Sequence, residues 1–156
     1  MNDNEVRLTK HFTLAEMTAS ASHPETRNVP GQEEVGNLTT LCEWLEKLRD
    51  DYNRTYNTGR REEPIIVSSG YRCKMLNRAV GGINSSNHLT GCAADLKCKD
   101  CTQAIRYAAC LIKVFTEEKK RWDEIIIERR AASFWVHFAV RPTNNRCKVF
   151  SIDLTT

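Results

Sequence analysis

Between Val35 and Tyr52 apolar residues recur at helical spacing. Val35, Leu38, Leu41, Cys42, Leu45, Leu48 and Tyr52 share one face, which predicts an amphipathic helix. Ahead of it, Thr13-Leu-Ala-Glu16 has the form of a capping box that opens a short helix. Residues 20–32, rich in Ser, Pro, Asn and Gly, read as a loop. Residues 53–63 are polar and charged around Gly59, with Tyr56 as the one apolar anchor, and a mobile loop is expected there. Pro64 introduces Ile65-Ile66-Val67-Ser68, a β-branched run expected as a buried strand. Tyr71–Val80 predicts a short helix closed by Gly81-Gly82, followed by a loop over 83–93 and a strand over Ala94–Lys97. A helix capped by Thr102 is expected to run to about Glu118, with Ala104, Ile105, Ala108, Ala109, Ile112 and Phe115 inward. Three strand-like runs close the chain: Glu124–Glu128, Phe134–Val140 and Cys147–Ile152, the first two joined by a hairpin loop over Arg129–Ser133. Helices come first and strands mostly after. That order predicts the α+β class, with helices packed on a mainly antiparallel sheet.

The chain has 156 residues, which fits one domain over 1–156 with residues 1–10 as a flexible tail. With 40% hydrophobic and 28% charged residues, seven Gly and four Pro, it is neither collagen-like, low-complexity nor wholly disordered. A net charge of +3 is too small to imply a nucleic-acid partner. The first ten residues hold no apolar run and no small-residue cleavage site, so a cytoplasmic location is expected for the chain as encoded. The longest charge-free apolar stretch, Ala131–Val140, falls well short of the roughly 18 residues that span a bilayer, so no stable membrane insertion is expected. A monomer is expected. Seven cysteines, an odd number without repeating spacing, read as reduced thiols rather than a disulfide framework.

The informative segment is Ser86-Asn-His88-Leu-Thr-Gly91-Cys-Ala93-Ala-Asp95, where a loop enters a strand. A further histidine, His137, lies in a late strand as Trp135-Val-His137. Two imidazoles and a carboxylate make a three-ligand zinc set that leaves a fourth position open, the arrangement of hydrolytic sites. Spacing alone also allows histidines that merely pack or face solvent.

The pattern Ser86-x-His88-x-x-Gly91-x-Ala93-x-Asp95 followed by Trp135-Val-His137 resembles the zinc D-Ala-D-Ala carboxypeptidase-type metallopeptidases of peptidoglycan. These belong to the lysostaphin, D-Ala-D-Ala and hedgehog group, and the likeness is to short bacterial and phage-endolysin members. It extends through His11-Phe-Thr-Leu-Ala-Glu16, Asn28-Val-Pro30, Ser69-Gly-Tyr-Arg72, Leu76-Asn-Arg-Ala-Val-Gly-Gly82, Asp123-Glu-Ile-Ile-Ile-Glu128 and Asn145-Arg146, in that order. The resemblance implies the hedgehog/D-Ala-D-Ala-peptidase fold and one zinc ion held by His88, Asp95 and His137. It implies Arg72 as stabiliser of the oxyanion and a substrate contact, and Ser86 as a second substrate contact. Bland readings stand beside these: a surface ion pair for Arg72, and for Ser86 a loop hydroxyl bonding its own backbone. The implied substrate is the peptidoglycan stem peptide, cut by a D,D-carboxypeptidase or an endopeptidase. A phage-type lysin would reach the wall only on release. The alternative is a zinc-fold module that binds wall peptides with little or no turnover.

The general base is less defined. Some relatives carry a carboxylate three residues before the last histidine, where this chain has Phe134. Alternation puts Glu124, Ile126 and Glu128 on one strand face, and the hairpin brings Glu128 toward His137. Glu128 is therefore the expected base, with Glu124 and Asp123 as alternatives. The pair Cys98-Lys-Asp-Cys101 has the spacing of half a zinc site or a redox motif, but no second pair accompanies it, so a local structural role is expected.

Overall fold

The structure, a computed structural model, describes residues 5–155. Helix α1 (Leu14–Thr18) begins with the expected capping box. The Glu16 N–H donates to Thr13 Oγ1 at 3.2 Å, and the Thr13 N–H donates to the Glu16 carboxylate at 2.9 Å. Of the expected tail 1–10, residues 1–4 lie outside the described residues. Arg7 bridges Thr13, and the Thr9 hydroxyl donates to Glu46.

Helix α2 (Gln32–Tyr56) buries Leu38, Leu41, Cys42, Leu45, Leu48 and Tyr52 as their spacing predicted. It runs further than expected, taking the first four residues of the 53–63 loop. The extra turn has an anchor: Tyr56 packs against Tyr52 at 5.7 Å under the Arg106 guanidinium. Asn53 then ties the following loop back by exchanging hydrogen bonds with the Glu63 backbone.

Five strands follow: β1 (Val67–Ser69), β2 (Ala93–Cys98), β3 (Glu124–Arg130), β4 (Ser133–Ala139) and β5 (Lys148–Asp153). Their spatial order is β1-β2-β4-β3-β5. The first three neighbour pairs are antiparallel, as expected of a mainly antiparallel sheet, but β5 runs parallel to β3, so the sheet is mixed rather than purely antiparallel. The cause is occupancy. β4 pairs with β3 on one side and β2 on the other, so β5 crosses over and joins the free edge of β3.

Helix α3 (Lys74–Ala79) starts later than Tyr71 because the preceding backbone is spent elsewhere. The Tyr71 N–H donates to Met17 and the Arg72 N–H to His88, holding this stretch out of the helix. Helix α4 (Cys101–Glu117) is capped by Asp100 rather than Thr102. Its buried face is Gln103, Ala104, Tyr107, Ala108, Cys110, Leu111, Val114 and Phe115; Ile105 and Ala109, expected inside, are exposed. The core lies between α2, α4 and one sheet face, with Trp44 stacked on Phe115 at 3.7 Å and Leu96, Ile125, Val136 and Phe138 below. This leaves the other sheet face open to chemistry.

Candidate metal centre

Three segments meet on that open face. The β2–β4 register sets Asp95 directly opposite His137, and the β3–β4 register sets His137 opposite Ile126. Alternation then brings Glu124 and Glu128 to the same face. His88 comes from a 3₁₀ turn, Asn87–Thr90, that ends at Gly91 with φ +72°. Gly91 is needed twice: an L residue would be strained at that φ, and its Cβ would stand 2.6 Å from the Glu34 carbonyl. His88 Nδ1 lies 2.6 Å from the Gly70 carbonyl and donates to it, which turns the Nε2 lone pair toward Asp95. A Cβ at Gly70 would collide with the Met17 carbonyl, so that backbone approach also requires glycine.

The donor atoms converge. His88 Nε2 lies 3.4 Å and His137 Nδ1 3.0 Å from Asp95 Oδ1, and all three ligand atoms fall within 4.8 Å of one another. His88 is only 1% exposed, yet its Nε2 has no hydrogen-bond partner. A buried imidazole nitrogen without a partner is costly in a finished core. A metal ion would satisfy it, and a nitrogen, nitrogen, oxygen donor set suits zinc. The residues present therefore fit the ion that the resemblance implies.

The electrostatics agree. Burial pushes Asp95 up, but the two imidazoles outweigh it and hold the carboxyl well below the usual carboxylate range. Burial lowers His137, but Asp95 and Glu124 outweigh it and push the imidazole up to about 9. A cation at Nδ1 therefore competes with a proton there.

Behind His137 stands an acidic and basic cluster. Glu124 Oε2 lies 3.1 Å from His137 Nε2, and this hydrogen bond, foremost, lowers the Glu124 carboxyl. Asn87 and Arg146 donate to the same carboxylate. Asp123 is completely buried, accepts from Asn87 and Arg146 and pairs with Arg141 at 2.9 Å, with its carboxyl held down at about 2 against the penalty of burial. Asp123 is thus engaged in structure, and Glu124 orients the His137 ring. A carboxylate gripping the far nitrogen of a metal-binding histidine is the usual supporting arrangement. Sequence reasoning placed Glu124 only among possible bases; the signal for its role was its four-residue separation from Glu128 on one strand face.

Arg72 Nη2 lies 3.6 Å from Asp95 Oδ2, and Nη1 donates to Asn77 at 3.3 Å. Its Nε is buried without a partner, and burial lowers the guanidinium pKa. Arg72, Asp95 and Glu128 line one cleft of about 420 Å³, together with Ser20, Ser69 and Trp135. Glu128 is pushed up, by burial first and then by Asp95. Ser86 does not line that cleft: its hydroxyl caps the 3₁₀ turn by accepting from the His88 N–H at 3.3 Å. Phe134 lies on the core face with Val136 and Phe138, where it packs against the core beneath the Arg129 guanidinium. A carboxylate at 134 would face away from His137 in this strand. Cys98 is buried at the end of β2, its thiol pushed up to about 12 by burial, whereas Cys101 is exposed at the start of α4 and both are free thiols. The pair forms no metal cluster among the described residues.

A family model described as Peptidase M15 matches residues 10–120, most of the chain. The chain belongs to the Peptidase M15 family. The match takes in Arg72, Ser86, His88 and Asp95 and ends before β3 and β4, so it is the sheet register that adds His137, Glu124 and Glu128. No curated protein matches the chain. Among the described residues no helix is long and apolar enough to cross a membrane.

Proposed function

We propose that this Peptidase M15 member is a zinc metallopeptidase that hydrolyses peptide bonds in peptidoglycan stem peptides. The observation that carries the reading is the buried, unpartnered His88 Nε2 beside His137 Nδ1 and the carboxylate of Asp95, a residue that lines the cleft. Zinc bound there would lower the pKa of water and polarise the scissile carbonyl. His88, Asp95 and His137 hold the ion, with Gly70 and Glu124 fixing the two ring orientations. Arg72, a fixed cation facing the cleft, receives the negative charge that grows on the carbonyl oxygen. Glu128 takes a proton from the attacking water and returns it to the leaving amine. Burial, which raises its pKa, makes Glu128 a stronger base than an ordinary carboxylate.

One zinc per chain is expected by metal analysis, with hydrolysis of purified muropeptides that a chelator abolishes and zinc restores. Mass analysis of the products then separates a D,D-carboxypeptidase from an endopeptidase cutting between L-Ala and D-Glu. Arg72→Ala should keep the zinc and lose about 10²–10³-fold in rate; unchanged turnover would remove Arg72 from this role. Full zinc occupancy without cleavage of any muropeptide would favour a wall-peptide binding module instead. A monomer with no nucleic-acid partner, acting at the wall as a released lysin, completes the proposal.

A further inference from the structure

The cleft holds a second arginine that this chemistry does not use. Arg130 shares the open face with Glu124, Ile126 and Glu128 and lines the same cleft as Arg72 and Asp95. Its neighbour Arg129 reaches the other way, to Asp153 at 3.6 Å and the Phe134 ring. Arg130 itself makes no ion pair among the described residues, whereas Arg72 is committed to Asp95 and Asn77. The cleft lining therefore offers one cation with its donors free. Two arginines face two carboxylates, Asp95 and Glu128, so a divalent cation on the ligands would leave the cleft positive overall. Such a cleft selects an anionic ligand.

The sheet supplies a ruler. Ile126 stands opposite His137, and Arg130 lies four residues further along β3, about 13 Å at the usual strand rise. An extended peptide covers about 3.3 Å per residue, so the anion lies at most about four residues from the scissile bond, and fewer once the arginine reaches back. Trp135, opposite Glu128, lies between the two along the sheet and adds an apolar wall, and Ser69, level with Asp95, adds a hydroxyl to the same cleft. A planar guanidinium with forked donors matches a carboxylate in particular.

We infer that Arg130 is the binding residue for a peptide carboxylate close to the scissile bond, so that the chain selects acidic peptides over their amides. The inference rests on the peptidase reading for its substrate and names the ligand chemistry of that same cleft. The carboxylate has two sources, the C-terminal carboxylate or an acidic side chain.

The test uses the zinc-loaded protein and three synthetic stem peptides: one with both carboxylates free, one amidated at the C-terminus only, and one amidated at the side chain only. Hydrolysis and equilibrium binding are measured for each. One amidation should raise KM about 10–100-fold, the range for a charge-assisted hydrogen bond, with kcat little changed. Arg130→Gln should impose the same loss on the free peptide and none on that amide; Arg130→Lys should recover part of it. Whichever amide loses its penalty in Arg130→Gln names the carboxylate. Equal binding of all three peptides, or an equal loss on all three in Arg130→Gln, overturns the inference. Cleavage of all three peptides at one rate and one KM would leave the peptidase reading intact and remove Arg130. Binding that prefers the acid through Arg130, without cleavage, would keep Arg130 and remove the peptidase.

Discussion

Glu124 and Glu128 sit four residues apart on one face of one strand, and their surroundings make them different acids. Glu124 lies against His137 Nε2 and accepts from Asn87 and Arg146, so its charged form is held. Glu128 lies among Asp95, Trp135 and the cleft wall, forms no salt bridge among the described residues, and is pushed up by burial. A carboxylate surrounded by donors stays ionised and orients its neighbours. One with few donors and an acidic neighbour is free to carry a proton. Pairs of acids driven apart in this way mark the division of labour in hydrolytic sites.

Four substitutions break or sharpen that contrast. Glu128→Gln should keep fold and zinc while losing 10²–10⁴-fold in kcat. With Glu128 as the base, which acts only when deprotonated, the acid limb of the wild-type kcat/KM profile should report its ionisation, and that limb should vanish in the variant. Full activity in Glu128→Gln would transfer the role to another group.

Asp123→Asn addresses the support behind Glu124. It leaves the partly exposed Arg141 and Arg146 beside a neutral amide, and losing hydrogen bonds to a charged group of this kind costs about 1.5–3 kcal/mol in denaturant unfolding. The pH dependence has a definite sign. With its folded pKa at about 2, Asp123 contributes roughly 2–3 kcal/mol that is fully present above the unfolded carboxyl pKa near 3.9 and is lost as pH falls toward 2. That acid sensitivity should be absent from the variant.

Glu124→Gln should weaken zinc binding by roughly 10–100-fold, with activity recovered at high zinc, because the ligand His137 loses its orienting carboxylate. An unchanged zinc affinity would make Glu124 a bystander. Cys101→Ser should do least. Its stability should stay within about 0.5 kcal/mol and its zinc content at one per chain, as for an exposed residue outside any site. Loss of a second zinc equivalent would contradict this.

The three residues that converge were legible because their residue types are rare and their order is specific, and strand alternation alone put Glu124 and Glu128 on one face. What joins Asp95 to His137 is register between strands 42 residues apart, which no local pattern encodes. The inner face of α4 was misread for a chemical reason. Gln103 is buried because it accepts from the Lys99 N–H and donates to the Tyr52 hydroxyl, and Tyr107 packs edge-on against Tyr52 at 4.9 Å. Polar residues were counted as outward, although hydrogen bonding lets them turn in, while Ile105 and Ala109 face out. The direction of β5 was hidden because it depends on which edge remains free after β4 is paired. Ser86 and Arg130 show the opposite failings: the motif drew attention to a capping hydroxyl, and nothing in the motif pointed to the free arginine.

The chain crosses back over β3 between β4 and β5, and Arg146, on that crossing, clamps Asp123 and Glu124. During synthesis the polypeptide emerges from its N-terminus, at roughly 5–20 residues per second. His88 and Asp95 are then exposed well before β4 exists, while β1 and β2 alone form a two-stranded ribbon, a unit marginal in water. The third ligand and the clamp that orients it arrive with the last two strands. A ribosome-bound chain therefore carries only His88 and Asp95 of the candidate metal site, which becomes whole only when β4 and the crossing that follows it dock.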